Sequence, residues 1–111
     1  ESKYELAAYI DNESGDLDIN GLQEKIQTLD GVYSVTYVSA DEIWEAYKEA
    51  NNLTEDEIRY FEKDGNPWRN DAHFYVTYNK KHESDLILQI ENLSGIAYTK
   101  TNIPNYTGIY D

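Results

Sequence analysis

The chain has 111 residues and a mass of 12.9 kDa, with 9 Lys and Arg against 22 Asp and Glu, a formal charge of −13 and a pI near 4.3. That length favours one domain, and the carboxylate excess excludes nucleic acid and anionic lipid surfaces, polyanions whose binding rests on clustered Lys and Arg. The lack of cysteine and methionine excludes disulfides, thiolate zinc sites and cysteine nucleophiles.

No initiator Met and no signal-like apolar run opens the chain, so a piece of a longer protein is expected. No stretch approaches the ~18 apolar residues of a membrane helix, so any anchor is expected outside these residues. The first element is a strand, Tyr4 to Ile10, closed by Asp11-Asn12. Asp16-Leu-Asp18-Ile-Asn20-Gly21 copies the first half of a calcium loop, with oxygen ligands at positions one, three and five and Gly at six. Position twelve is Gln27 instead of a bidentate Glu, which favours an acidic turn ending in a helix N-cap at Asp18 or Asn20. Leu22, Ile26 and Leu29 then lie within one narrow arc of a helix, and Gly31 is expected as its left-handed C-terminal cap. Tyr33 to Val38, rich in β-branched and aromatic residues, predicts the next strand.

The same series returns later in the chain. Leu86, Ile90, Leu93, Gly95 and Ile96 repeat the spacing of Leu22, Ile26, Leu29, Gly31 and Val32. Before them, Ala72, Phe74, Val76 and Tyr78 alternate at period two, and Ile96 to Thr101 gives a weaker closing strand. The order is βαβ, insertion, βαβ. The fold class expected is α+β: two βαβ repeats forming a ferredoxin-like, split βαβ antiparallel sheet with both helices on one face and the other face partly open. The boundaries expected are repeat one at 3–38, a helical lobe at 39–71, repeat two at 72–102 and a linker toward a membrane helix at 103–111.

In the insertion, Ser39-Ala-Asp-Glu42 and Thr54-Glu-Asp-Glu57 are both capping boxes, so helices are expected to begin at residues 40 and 55. Asp64-Gly-Asn-Pro67 ends the second. This lobe holds Ile43, Trp44, Tyr47, Ile58, Tyr60, Phe61 and Trp68, including both tryptophans of the chain. Some must pack beneath the helices. The surplus is expected as an exposed aromatic patch, the composition of a protein-binding hot spot.

Signals for chemistry are weak. His73 and His82 are far apart and lack ligating partners, so both are expected to be structural or solvated. The neighbouring carboxylates Asp41-Glu42 and Glu55-Asp-Glu57 suit solvated first turns of helices rather than opposed catalytic pairs. No phosphate-binding glycine loop, nucleophile elbow or HExxH occurs, and the arginines are Arg59 and Arg69 alone. No enzyme activity, cofactor or metal is expected.

The segment Leu29-Asp-Gly-Val-Tyr-Ser-Val-Thr-Tyr-Val-Ser-Ala-Asp-Glu42, then Asp64-Gly-Asn-Pro67, a strand and Leu93-Ser-Gly-Ile96, resembles the extracellular domain of FtsX, over nearly the whole chain. The resemblance implies a domain lying between two transmembrane helices on the outer side of the bacterial plasma membrane. It also implies the FtsE ATPase as a partner through the rest of the protein, and an extracellular peptidoglycan hydrolase or its coiled-coil adaptor as the partner of the lobe. In the family the segment ahead of Asn66-Pro67 is an apolar docking edge, here supplied by Ile58 and Phe61. Trp68 stands where the family usually has an aliphatic residue, and Arg69-Asn-Asp71 replaces a second common Pro. Residues and resemblance together nominate Ile43, Trp44, Tyr47, Ile58, Tyr60, Phe61, Asn66 and Trp68 as partner-binding residues. The alternative is a ligand- or peptide-sensing domain of another permease, with a pocket lined by Tyr37, Tyr47 and Tyr75.

Overall fold

A computed structural model of the protein describes residues 3–12, 17–101 and 103. Strand β1 (Lys3–Ile10) leads to helix α1 (Ile19–Gln27) and strand β2 (Val32–Val38). Helices α2 (Ala40–Ala50) and α3 (Glu55–Glu62) follow. Strand β3 (His73–Asn79), a 3-10 turn at Lys80–His82, helix α4 (Glu83–Glu91) and strand β4 (Ile96–Lys100) complete the second half. The strands form one antiparallel sheet in the order β2-β3-β1-β4, the split βαβ arrangement expected from the repeat. The expected linker beyond Ile103 lies outside the described residues.

Period-two alternation decides which side of the sheet each helix covers. Leu6, Ala8 and Ile10 of β1, Phe74, Val76 and Tyr78 of β3, and Val35 of β2 share one face. On that face they meet Leu22 and Ile26 of α1 and Leu86 and Ile90 of α4, the apolar stripes of the two repeats. Each such aliphatic side chain, once buried, contributes about 1.5–3 kcal/mol over its exposed state. The Tyr78 hydroxyl donates to Glu83 Oε2 at 2.6 Å, so this core tyrosine has its polar atom satisfied. The opposite face is partly covered. Tyr9 stacks on Tyr98 at 4.7 Å and leans on His73 at 5.2 Å, while Ser34, Thr36 and Tyr98 stay exposed.

The two glycines of the repeat do not cap their helices. Helix α1 closes at Thr28 in right-handed geometry, and Gly31 sits three residues on, in a turn where the Val32 N–H donates to Leu29 O at 3.3 Å. Leu93-Ser-Gly-Ile96 repeats that turn, with Ile96 N–H on Leu93 O at 3.2 Å. Positive φ at the third position of such a turn (92° at Gly31, 100° at Gly95) is what selects glycine. The last helical bonds run from the Thr28 N–H to Glu24 O and from the Asn92 N–H to Leu88 O, three residues ahead of each glycine.

Candidate functional site

The lobe begins where β2 ends. Ser39 accepts from the Glu42 N–H and Glu42 answers to the Ser39 N–H, and Thr54 and Glu57 do the same for α3. Both capping boxes form, with starts at residues 40 and 55 as the spacing predicts. Helix α3 stops at Glu62, ahead of Asp64-Gly-Asn-Pro67. Asn66 then organises the return: its Oδ1 accepts from the Trp68 N–H at 2.7 Å and its Nδ2 donates to Asp41 at the start of α2. The side chain of Asn12 donates to Arg69 O at 2.9 Å, tying the end of the lobe to the end of β1.

The aromatic residues form a continuous row across α3, α2 and this return segment. Tyr60 meets Phe61 edge to face at 5.8 Å and Phe61 meets Trp44 at 6.1 Å. Trp44 stacks with Tyr47 at 6.1 Å, and Tyr47 packs on Trp68 at 5.3 Å. Centroid spacings of 4.5–7 Å are those of attractive ring pairs. Exposure is lowest at Trp44, in the middle of the row, and highest at its Tyr60 end. Trp44 is 4% exposed, Tyr47 and Trp68 are half-buried, Phe61 is 41% exposed and Tyr60 67%. Ile43, Ile58 and Asn66 are also half-buried.

Trp44 therefore corrects the expectation placed on it: it lies inside the lobe and offers no surface to a partner. Trp44 is the buried residue of α2, and α3 has none. Its indole Nε1–H donates to Glu62 Oε2 at 2.5 Å, joining α2 to α3. Lys48 lies over the same ring at 5.2 Å and reaches Glu45 at 2.8 Å. Spacing in the sequence gives no sign of the Trp44–Glu62 pair, because 18 residues and a helix turn separate them. The partnership of Lys63 with Tyr60, 5.3 Å from ring centroid to ammonium, joins close neighbours at i and i+3, a spacing visible in the sequence.

The rim is acidic. Residues 40–71 hold ten carboxylates against four cations, and most of these carboxylates are exposed. Asp41 and Glu42 also act on Tyr37, whose hydroxyl is raised above its usual value first by burial and then by those two charges. Among the described residues no cluster of three His, Asp or Glu side chains is arranged to hold a metal ion. Of the calcium-like segment, Asp18 spends its carboxylate on the Gly21 N–H as the N-cap of α1, and Asn20 lies within α1. Asp16 lies outside the described residues.

Of the tyrosines nominated for a ligand pocket, Tyr37 and Tyr47 have different ring partners. Tyr37 packs on Phe74 at 5.5 Å and Tyr47 on Trp68 at 5.3 Å. A depression of about 380 Å³ lies along α1, lined by Asn20, Gln23, Glu24 and Gln27.

The FtsX extracellular domain family matches residues 3–101. A crystal structure of extracellular domain 1 of FtsX from Streptococcus pneumoniae, in complex with undecyl-maltoside, is similar at a TM-score of 0.66. It is 16% identical, and the match covers 87% of this chain and 92% of that one. The solution structure of the large extracellular loop of FtsX from the same organism is similar at a TM-score of 0.58, with 17% identity and coverage of 87% and 97%. At such identities the two structures establish the fold, βαβ repeats with an inserted helical lobe included. No curated protein matches by sequence.

Proposed function

The chain belongs to the FtsX extracellular-domain family, and on that premise we propose that its lobe docks an amphipathic helix from an extracellular peptidoglycan hydrolase, or from that hydrolase's coiled-coil adaptor. The family is the extracellular domain of a permease-like cell-division protein, and on this reading the domain acts by binding. The observation that carries the reading is the pair Phe61 and Tyr60, large rings left in water on a support that Trp44 and Glu62 hold still. Rings whose positions are set beforehand lose little freedom when a partner covers them. A helix suits the row because its i, i+3 and i+4 side chains meet a line of apolar anchors, with Ile58, Tyr47 and Trp68 as the flanks. The acidic rim favours a partner with basic residues beside its apolar stripe.

Coupling to the FtsE ATPase runs through the two places where the lobe joins the sheet. At one, Ser39 begins α2 directly after Val38; at the other, Asp71 leads into β3. Tilting of the lobe about these joints, as flanking membrane helices shift, would present or withdraw the rings and so pass ATP hydrolysis outward to cell-wall cleavage. The test is a photo-reactive side chain introduced in the full-length protein in cells, at Tyr60, Phe61 and, as a control, at Leu88, which is exposed on α4. Adducts with a peptidoglycan hydrolase or its adaptor at positions 60 and 61 and not at 88 are expected. Adducts at 88 alone, or equally at all three, would overturn the assignment.

A further inference from the structure

Strand β2 forms one outer edge of the sheet. Among the described residues no strand lies beyond β2, whose one ladder is with β3. Edge strands are usually guarded by Lys, Pro or marked shortness. Strand β2 reads Val32-Tyr-Ser-Val-Thr-Tyr-Val38 and contains no charge and no proline, in a chain where 28% of residues are charged. The order of residue types is the same read in either direction: Val, Tyr, hydroxyl, Val, hydroxyl, Tyr, Val. An antiparallel pairing of two such strands about a two-fold axis at Val35 sets Val35 against Val35, Ser34 against Thr36 and Tyr33 against Tyr37. Like then meets like across the regular stretch centred on Val35, with hydroxyl opposite hydroxyl on the exposed face and no charge facing charge.

Backbone direction agrees with that register. The Val35 carbonyl accepts from Gln23 Nε2 of α1 at 3.0 Å, so this carbonyl points away from β3 and along the free edge. The Val35 N–H shares that direction, because in an antiparallel strand one residue's N–H and C=O face the same neighbour. We propose that β2 is an interface for a second copy of this chain, two sheets joining edge to edge through an isologous contact centred on Val35, with Gln23 as the side chain that blocks it. Pairing exchanges one amide-to-carbonyl hydrogen bond per chain for the reciprocal backbone pair at Val35. The bulge at Tyr33, where the β2–β3 register shifts, shortens the regular edge, so the association is weak and is seen at high concentration. This contact is separate from the lobe and does not depend on what the lobe binds.

The experiment is sedimentation equilibrium of the 111-residue chain from about 10 μM to about 1 mM, the range in which weak association is measurable. Circular dichroism reports that each variant is folded. Ser34 and Thr36 are exposed, and each faces the other across the two-fold. Replacing both by Lys (S34K/T36K) sets like charges opposite each other twice and is expected to raise the dimer dissociation constant about tenfold. S34K/T36E sets Lys opposite Glu twice and is expected to restore the wild-type constant. Q23A frees the Val35 carbonyl and is expected to lower the constant about threefold or more. Nonspecific association gives the opposite order, because S34K/T36K makes a strongly acidic chain less charged and would then associate more. A monomer throughout the range, or S34K/T36K associating as well as wild type or better, would overturn the proposal.

Discussion

Removing the indole hydrogen bond tests whether the lobe is held by the contact between its two helices. In Trp44→Phe the Nε1–H is lost and the ring shrinks, while Glu62 keeps its carboxylate. A hydrogen bond to a charged acceptor contributes about 1.5–3 kcal/mol. The Glu62 side chain is 42% exposed, however, and can take water in exchange, so the bond itself is worth about 1 kcal/mol here. The smaller ring leaves unfilled space around a site 4% exposed, adding about 1–2 kcal/mol. The single substitution should therefore cost about 2–3 kcal/mol. Glu62→Ala removes the acceptor, and its contact with Lys48 at 4.0 Å adds little. The double-mutant cycle between Trp44→Phe and Glu62→Ala should give a coupling of about 1 kcal/mol. Urea unfolding followed by far-UV dichroism, and by the fluorescence of Trp68, provides the free energies and tests whether lobe and sheet unfold together. A coupling below about 0.3 kcal/mol, the scatter expected of independent sites, would refute the claim that this bond joins α2 to α3.

Further outcomes follow from the same structure. Gly31→Ala should cost about 2 kcal/mol, because φ is positive and a Cβ would stand 2.7 Å from His82; Gly65→Ala, at similar φ with open space around it, should cost about 1 kcal/mol, and equal losses would remove the role given to His82. Ser39→Ala and Thr54→Ala should each lose about 1 kcal/mol by thermal unfolding, since each deletes one half of a formed capping box. Burial holds the His73 imidazole below its ordinary value of 6.5, so the unfolded chain takes up a proton that the folded chain resists. Stability should thus fall as pH drops below about 6.5, toward the depressed folded value, and His73→Gln should flatten that slope in urea midpoints measured across the window; an unchanged slope would assign it elsewhere. Asp71, its carboxyl raised by burial, acts in a different window: its ionisation costs stability as pH rises above 3.8.

The scaffold was legible because it is built twice. Five apolar and glycine positions at one spacing disclosed α1 with β2 and α4 with β4, and alternation at Ala72, Phe74, Val76 and Tyr78 disclosed the inward face of β3. Capping boxes located the starts of α2 and α3 to the residue, since that motif is local chemistry between a hydroxyl, a carboxylate and two N–H groups. The glycines were legible as turn residues but not as to which turn, because a cap and a following β-turn both need positive φ there. In the lobe, composition alone marked the aromatic surplus. Which ring turned inward depended on the meeting of Trp44 with Glu62 and Lys48 across two helices, a tertiary contact with no periodic signature. Composition therefore nominated Trp44 and Tyr60 alike, and packing separated them into support and surface. The edge chemistry of β2 was present in plain residues, but its meaning required knowing that β2 lies at the rim of the sheet.

The most direct measurement is the affinity of the lobe for the proposed partner helix when the exposed rings are removed and their support is kept. Titration calorimetry of the coiled-coil segment of the cognate hydrolase or adaptor, against the wild-type chain and the Tyr60→Ala/Phe61→Ala double variant, makes that comparison. With far-UV dichroism unchanged, the account predicts a loss of at least about 2 kcal/mol, a dissociation constant raised about thirtyfold or more. An equal affinity of the folded double variant would contradict it.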